Sequence, residues 1–260
     1  MGKLTTIKNR IYNDYLMPSR LNEYETVLRT LNQEGYKHIT FREYKKLLDT
    51  DNLDGRYFIN RHDIDTDIAT AKEFFKIEKK YNAKASYYFR LSTLDFKFMK
   101  EIEDYGSEAS YHFEEIAQFC KDNHIKSRDE VINRLDDIKK IFIENFKIIK
   151  NGGMQLQTIC SHGDFVNRKL QITNNEITKD ENLRKELGII CETYDKDLMD
   201  SFEIYVSDKQ YPIFYSPDSI FNYIGEKDTI CMLTHPRQWR TNFIINTIDN
   251  LKRIYEGFRW

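Results

Sequence analysis

Apolar and polar positions change period along this chain. Between residues 20 and 48, Leu21, Tyr24, Val27, Leu28 and Leu31 recur at helical spacing until Gly35. Thr40, followed three residues later by Glu43, opens a second helix, FREYKKLL. From Tyr57 onward, short runs rich in β-branched and aromatic residues alternate with longer runs of helical period. RYFINRHDID reads as a strand. TDIATAKEFFKIEKKY follows as a helix with Ile68, Ala71, Phe75 and Tyr81 on one side. KASYYFRL is a strand, and STLDFKFMKEIEDYG is a helix opened by Ser92 or Thr93 and closed by Gly106. SEASYHF is a short strand and EEIAQFC a helix. SRDEVINRLDDIKKIFIENFKIIK reads as one long helix with the seam Val131, Leu135, Ile138, Phe142, Phe146 and Ile149, ended by Asn151-Gly152-Gly153. MQLQTICSHG, the end of LRKELGIICETY, FEIYVSD, IFYSP and DTICMLTH supply further strands. TNFIINTIDNLKRIYEGF closes the chain as a helix.

Strand alternating with helix implies a parallel sheet with crossover helices. The expected class is α/β, a distorted (β/α) barrel of about seven parallel strands. A helical lead-in over residues 1–56 packs on the barrel of residues 57–260, with no linker, low-complexity run or repeat, so the chain forms a single structural domain.

With 260 residues, 40% hydrophobic and 14% aromatic, the chain can bury a sizeable core, which excludes a disordered protein. Forty basic against 42 acidic residues leave no electrostatic footprint for nucleic acid. Mean hydropathy is −0.68, and no apolar run approaches the roughly 20 residues of a membrane span. Cys120, Cys160, Cys191 and Cys231 form no CxxC pair. Three of them lie in apolar runs, where a thiol behaves as a small hydrophobe, and a reducing compartment follows. The N-terminal MGKLTT matches the loose myristoylation pattern, which is too short to weigh. No apolar signal region follows it, so a cytoplasmic location is expected.

The histidines carry the chemistry. His38 and His124 fall in polar segments and are expected to be solvated. His62, His112, His162 and His235 all fall near the C-terminal ends of strands, which converge on one mouth in a parallel barrel. In Arg61-His62-Asp63-Ile64-Asp65, strand alternation puts Arg61, Asp63 and Asp65 on one face and His62 on the other. Two inward carboxylates are costly unless one binds a metal and the other works as a base beside Arg61. Capping of the next helix is the alternative role, but Asp67 or Thr66 can serve there. His112 and Glu114 share a face, although Glu114 and Glu115 also suit a helix N-terminus. His162 precedes Gly163, which allows close backbone approach, and Asp164, which could simply cap a turn. Pro236 holds His235 at a strand tip, where Arg237 and Trp239 would rim the mouth. Trp239 would be a platform for a sugar ring or a packing residue of the closing helix. Together these residues suggest a mononuclear metal site of His and carboxylate ligands with open positions. GxGxxG, GxxxxGK and GxSxG are absent.

The series RHDID, SYYFR, GSEASYHFE, SHGD and LTHPRQW resembles the polysaccharide deacetylase (NodB-homology) family, nearest a bacterial subgroup with RHDVD-type and THP-type motifs. The likeness spans roughly residues 20–245. It implies a distorted barrel and metal-dependent amide or ester hydrolysis, usually removal of an N-acetyl group from a sugar. By this resemblance Asp63 is the general base, Asp65 and His112 are metal ligands, and His235 is the general acid. The family's second metal histidine falls at Ile116, and its RxPY arginine motif is missing. By position, His162 takes the third ligand place and Arg61 orients Asp63. Trp239, Arg237 and Glu114 would contact substrate. The expected ion is zinc, with nickel, cobalt or manganese as alternatives. The expected substrate is an acetylated sugar, sugar nucleotide or lipid-linked glycan, with no nucleic-acid partner and no integral membrane segment. The competing expectations are a glycan- or nucleotide-sugar-binding protein without turnover, and a metal amidohydrolase acting on a non-sugar amide.

Overall fold

A computed structural model describes residues 3–260, and Gly2 of the myristoylation pattern lies outside them. The lead-in comprises α1 (Lys3–Ile11), α2 (Leu21–Gln33), β1 (Lys37–Ile39) and α3 (Phe41–Asp49). Strand and helix then alternate through β2 (Tyr57–Ile64), α4 (Ile68–Lys80), β3 (Ser86–Phe89), α5 (Phe96–Tyr105), β4 (Glu108–Phe113) and α6 (Glu115–Asp122). There follow α7 (Arg128–Asn133), α8 (Leu135–Asn151), β5 (Thr158–Ser161), α9 (Phe165–Leu170), α10 (Glu181–Leu187) and β6 (Cys191–Glu192). The last elements are α11 (Lys196–Asp200), β7 (Ile204–Asp208), β8 (Tyr215–Ser216), β9 (Thr229–Thr234) and α12 (Phe243–Arg259).

The sheet runs β6-β5-β4-β3-β2-β9-β7-β8, parallel throughout except for the β7–β8 pair. It curls into a half-barrel. Closure of about seven strands into a full barrel was expected, but the edge strands β6 and β8 have two residues each and pair only inward. The lead-in is not merely packed on the sheet. β1 pairs in parallel with Tyr57–Ile59 of β2, along the side that β3 takes further up the strand at Arg61–Ile64.

Local chemistry sets the elements. The capping box at Thr40 forms as expected: Glu43 N–H donates to Thr40 Oγ1, and Thr40 N–H donates to Glu43 Oε2 at 2.9 Å. Asp67 caps α4 by accepting from Thr70 N–H at 3.1 Å, which frees Asp63 and Asp65 for other work. Gly106 ends α5 at φ +93°. That helix is capped by Asp95 rather than Ser92 or Thr93, which lie at a preceding 3₁₀ turn. The single long helix expected after Ser127 is two, broken at Arg134 (φ −106°, ψ 8°). Val131 and Ile138 on either side of the break are both fully buried.

The outer face of the sheet carries the main cores. One lies under α5, α6 and α8, with Tyr87, Phe98, Phe113 and Phe142. A second lies under α2 and α4, with Tyr24, Phe58, Phe74 and Trp239. Inside the curl, Phe41 and Tyr44 of α3 pack with Ile59, Tyr88 and Phe202 and close the N-terminal end of the strands. The polar end of the interior therefore lies at the strands' C-terminal tips.

Candidate metal centre

Three side chains meet at those tips. Asp65, just past β2, turns its Oδ1 toward His112 Nε2 at 3.3 Å and His162 Nδ1 at 3.1 Å; the two histidine nitrogens are 3.1 Å apart. His112 comes from the end of β4 and His162 from just beyond β5. These strands are adjacent and in register, His112 opposite Cys160. His112 is aimed by the neighbouring strand β5: Nδ1–H donates to the Cys160 carbonyl at 3.1 Å, which points Nε2 at Asp65 and His162. Although all three atoms are close, Asp65 Oδ1 is buried and has no hydrogen-bond partner. An orphaned buried carboxylate oxygen facing two imidazole nitrogens suits a shared cation. Ligands about 2.1 Å from a tetrahedral zinc lie about 3.4 Å from one another, close to the spacing observed. Two further groups bring donor atoms within 4.8 Å of one another: Asp63, His112 and Cys160, and Glu114, His162 and Asp164.

Asp63 stands beside this triangle, its Oδ2 3.5 Å from His112 Nε2. Arg61 grips it with both arms: Nε donates to Oδ1 and Nη2 to Oδ2, each at 2.8 Å. Arg61 is fully buried. It is held from behind by Tyr194 OH at 2.9 Å, with its guanidinium 4.4 Å above the Tyr194 ring. Burial would raise the Asp63 carboxyl, but Arg61 and then His112 outweigh it and hold it below the ordinary carboxylate range. For Asp65, burial also works upward, and His162 and His112 hold it well below that range.

His235 follows β9 on the opposite side of the same opening. Its Nδ1–H donates to Asp208 Oδ1 at 2.7 Å, and its backbone N–H donates to Asp208 Oδ2 at 2.6 Å. Trp239 Nε1–H donates to the same Oδ2 at 2.8 Å. Burial would lower the His235 value, but Asp208, joined by Asp65 and Asp63, outweighs it and lifts it to about 9. His235 is therefore an imidazolium at neutral pH, with Nε2–H left to donate.

The opening comprises two adjoining cavities. One, of about 380 Å³, is bounded by Asp65, His162 and Arg90 on the sheet side and by Asp249, Arg253 and Glu256 of α12. The other, of about 160 Å³, holds Asp63, Asp65, His235 and Arg237.

Several expectations need correction. Trp239 is not a platform at the mouth. It is fully buried among Tyr24, Phe74 and Tyr215, and its polar edge positions Asp208. Arg237 reaches the smaller cavity, but its charge is taken by Asp14 at 2.8 Å and by Asp249. Glu114 is locked in a bidentate pair with Arg90, so its carboxylate is already engaged. Gly163 lines the larger cavity, and a Cβ there would meet no protein atom within 4 Å. Asp164 caps α9, accepting from Val166 N–H at 2.8 Å. Cys160 is no plain hydrophobe: its Sγ lies 2.7 Å from Arg61 Nη2. His38 is half-buried rather than solvated, bonded to Asn32 at 2.7 Å, and burial pushes its pKa down to about 4. His62 faces away from the site, as strand alternation requires, and pairs with Glu78 at 2.6 Å. Ile116 is buried in the outer core, where no ligand could reach this centre. Sequence reasoning missed Asp208 and Tyr194. The one signal for Asp208 was its place at the end of the strand FEIYVSD.

No family model matches this chain, and neither curated proteins nor solved structures gave a match. No helix among the described residues is long and apolar enough to cross a membrane.

Proposed function

We propose that this protein is a metal-dependent hydrolase that removes an N-acetyl or related acyl group from a sugar or glycan precursor. The observation that carries the reading is the convergence of Asp65, His112 and His162 between an arginine-clamped carboxylate, Asp63, and an aspartate-backed imidazolium, His235. Asp65, His112 and His162 would hold the ion, and their nitrogen and oxygen donors suit zinc. A divalent cation there supplies Lewis acidity toward a carbonyl oxygen and acidifies water.

The chain's own groups perform the proton transfers. Asp63, kept ionised by Arg61, accepts a proton from the water that attacks the acyl carbonyl. Arg61 cannot supply that proton itself, and its two bonds fix which carboxylate edge faces the cavity. His235 donates from Nε2 to the departing amine nitrogen, while Asp208 holds the ring through Nδ1 and stabilises its charged form. The two groups line the same cavity in opposite charge states, as acid–base catalysis of acyl transfer requires. The likeness of RHDID, SEASYHFE and LTHP to the polysaccharide deacetylases supports the acetyl-sugar choice. The reading as a binding protein without turnover loses its aromatic platform, since Trp239 offers no face to a ring.

The experiment is acetate release from a panel of N-acetylated sugars, sugar nucleotides and linear and cyclic amides. Each is assayed with and without chelator and after addition of zinc, nickel, cobalt or manganese. The reading expects release from a sugar substrate that stops with chelator and returns with one of these ions. Release confined to non-sugar amides would redirect the substrate class, and no release with any ion would refute hydrolysis.

A further inference from the structure

α12 is mounted with its polar side inward. Asn246 and Asp249 are buried, and Asn246 Nδ2 donates to the Asp14 carbonyl at 2.8 Å. Asp249 pairs with Arg237, Asn250 Nδ2 donates to Asp14 Oδ2 at 2.9 Å, and Glu256 pairs with Lys121 at 3.1 Å. The apolar side faces out. Ile244, Ile248, Leu251, Tyr255 and Phe258 are each 59–88% exposed and follow one another at spacings of four, three, four and three residues. Phe243 and Ile254 widen the stripe. α1 repeats the arrangement alongside. Arg10 bonds inward to Asp14 and Asn250, while Leu4, Ile7 and Ile11 are exposed. An open groove between the helices is lined by Tyr15, Leu251 and Ile254.

At roughly 150–200 Å² per large side chain, these exposures sum to on the order of 1,000 Å² of apolar surface. The largest patch on an ordinary monomer is about 300–600 Å², whereas a stable dimer buries about 800 Å² per partner. The alternating four–three spacing is the seam that one helix offers to another. We infer that this face is the interface for a second copy of this chain, with α12 packing against its counterpart about a two-fold axis. Because Asp249, Arg253 and Glu256 of the same helix wall the larger cavity, pairing also holds that wall in place. The inference does not depend on which reaction the site performs.

Sedimentation equilibrium of the full chain tests it at micromolar concentration. The expected mass is twice the 31.3 kDa of one chain. The variant Ile248→Glu/Leu251→Glu alters only exposed side chains and is expected to run at the single-chain mass with unchanged near-UV circular dichroism. If that variant misfolds, the milder Ile248→Gln/Leu251→Gln is read in its place, with at least a tenfold weaker association expected. A wild-type chain that sediments as a monomer overturns the inference, as does a folded variant that remains dimeric. Co-sedimentation of a monomeric wild-type chain with phosphatidylglycerol vesicles, lost in the double variant, would also overturn it and assign the face to a membrane surface.

Discussion

Replacing Asp208 with asparagine isolates the charge behind His235. Asn keeps the shape and an acceptor oxygen for Trp239 Nε1–H, but removes the leading carboxylate among the three that together lift His235 from 6.5 to about 9. With that charge gone, burial is opposed only by Asp65 and Asp63, and His235 is expected to titrate at or below its ordinary value. A shift of about 2.5 units corresponds to about 3 kcal/mol of linked stability. The folded-state value is the raised one. The contribution is therefore complete below about pH 6.5 and is lost as the pH rises through about 9. Urea unfolding of wild type and Asp208→Asn, both in chelator, should show a stability gap at pH 6 that narrows by about 3 kcal/mol by pH 10. What remains at pH 10 reports the altered bonds to Trp239 and the His235 amide. Carbon-13 NMR of the His235 ring gives the same quantity directly, with a titration near 9 in wild type and at or below 6.5 in the variant. A pH-independent gap, or a His235 that titrates alike in both proteins, would refute the assignment of Asp208 as the partner that keeps His235 charged.

Asp63→Asn should remove acyl hydrolysis while leaving metal affinity within a few-fold of wild type, measured by zinc titration beside acetate release; retained turnover would sink the proton-acceptor role. Trp239→Phe removes one donor to Asp208 and is expected to cost about 1–2 kcal/mol in urea unfolding while shifting the His235 titration point less than Asp208→Asn does. A selective loss of glycan binding in Trp239→Phe, with His235 titrating as before, would restore the tryptophan to the substrate site.

What could be read from the chain was the chemistry that is local. Strand alternation separates His62 from Asp63, and the distance from Asp67 to the first turn of α4 decides which aspartate caps it, so both outcomes are settled within a few residues. The clustering of His112, His162 and His235 follows from strand order in a parallel sheet. Asp208 was hidden because its role depends on β7 lying beside β9, a pairing between residues 26 positions apart that no periodicity encodes. Trp239 was ambiguous for the same reason: LTHPRQW suits a rim or a core until Asp208 is placed. Closure of the sheet was overread because its edges, β6 and β8, have only two residues each. The break at Arg134 is invisible to periodicity, since the apolar seam continues across a one-residue interruption. For α12, the pattern defines two faces but not which one turns inward; its buried partners Asp14 and Lys121 lie far away in sequence.

Calorimetric zinc titration of the chelator-treated chain, alongside Asp65→Ala, His112→Ala and His162→Ala, bears most directly on the centre itself. One equivalent bound by wild type, with affinity at least tenfold weaker in each variant and folding retained by circular dichroism, is the predicted result. Zinc binding of equal stoichiometry and affinity in all four proteins, or none in the wild type, would contradict a metal held by these three side chains.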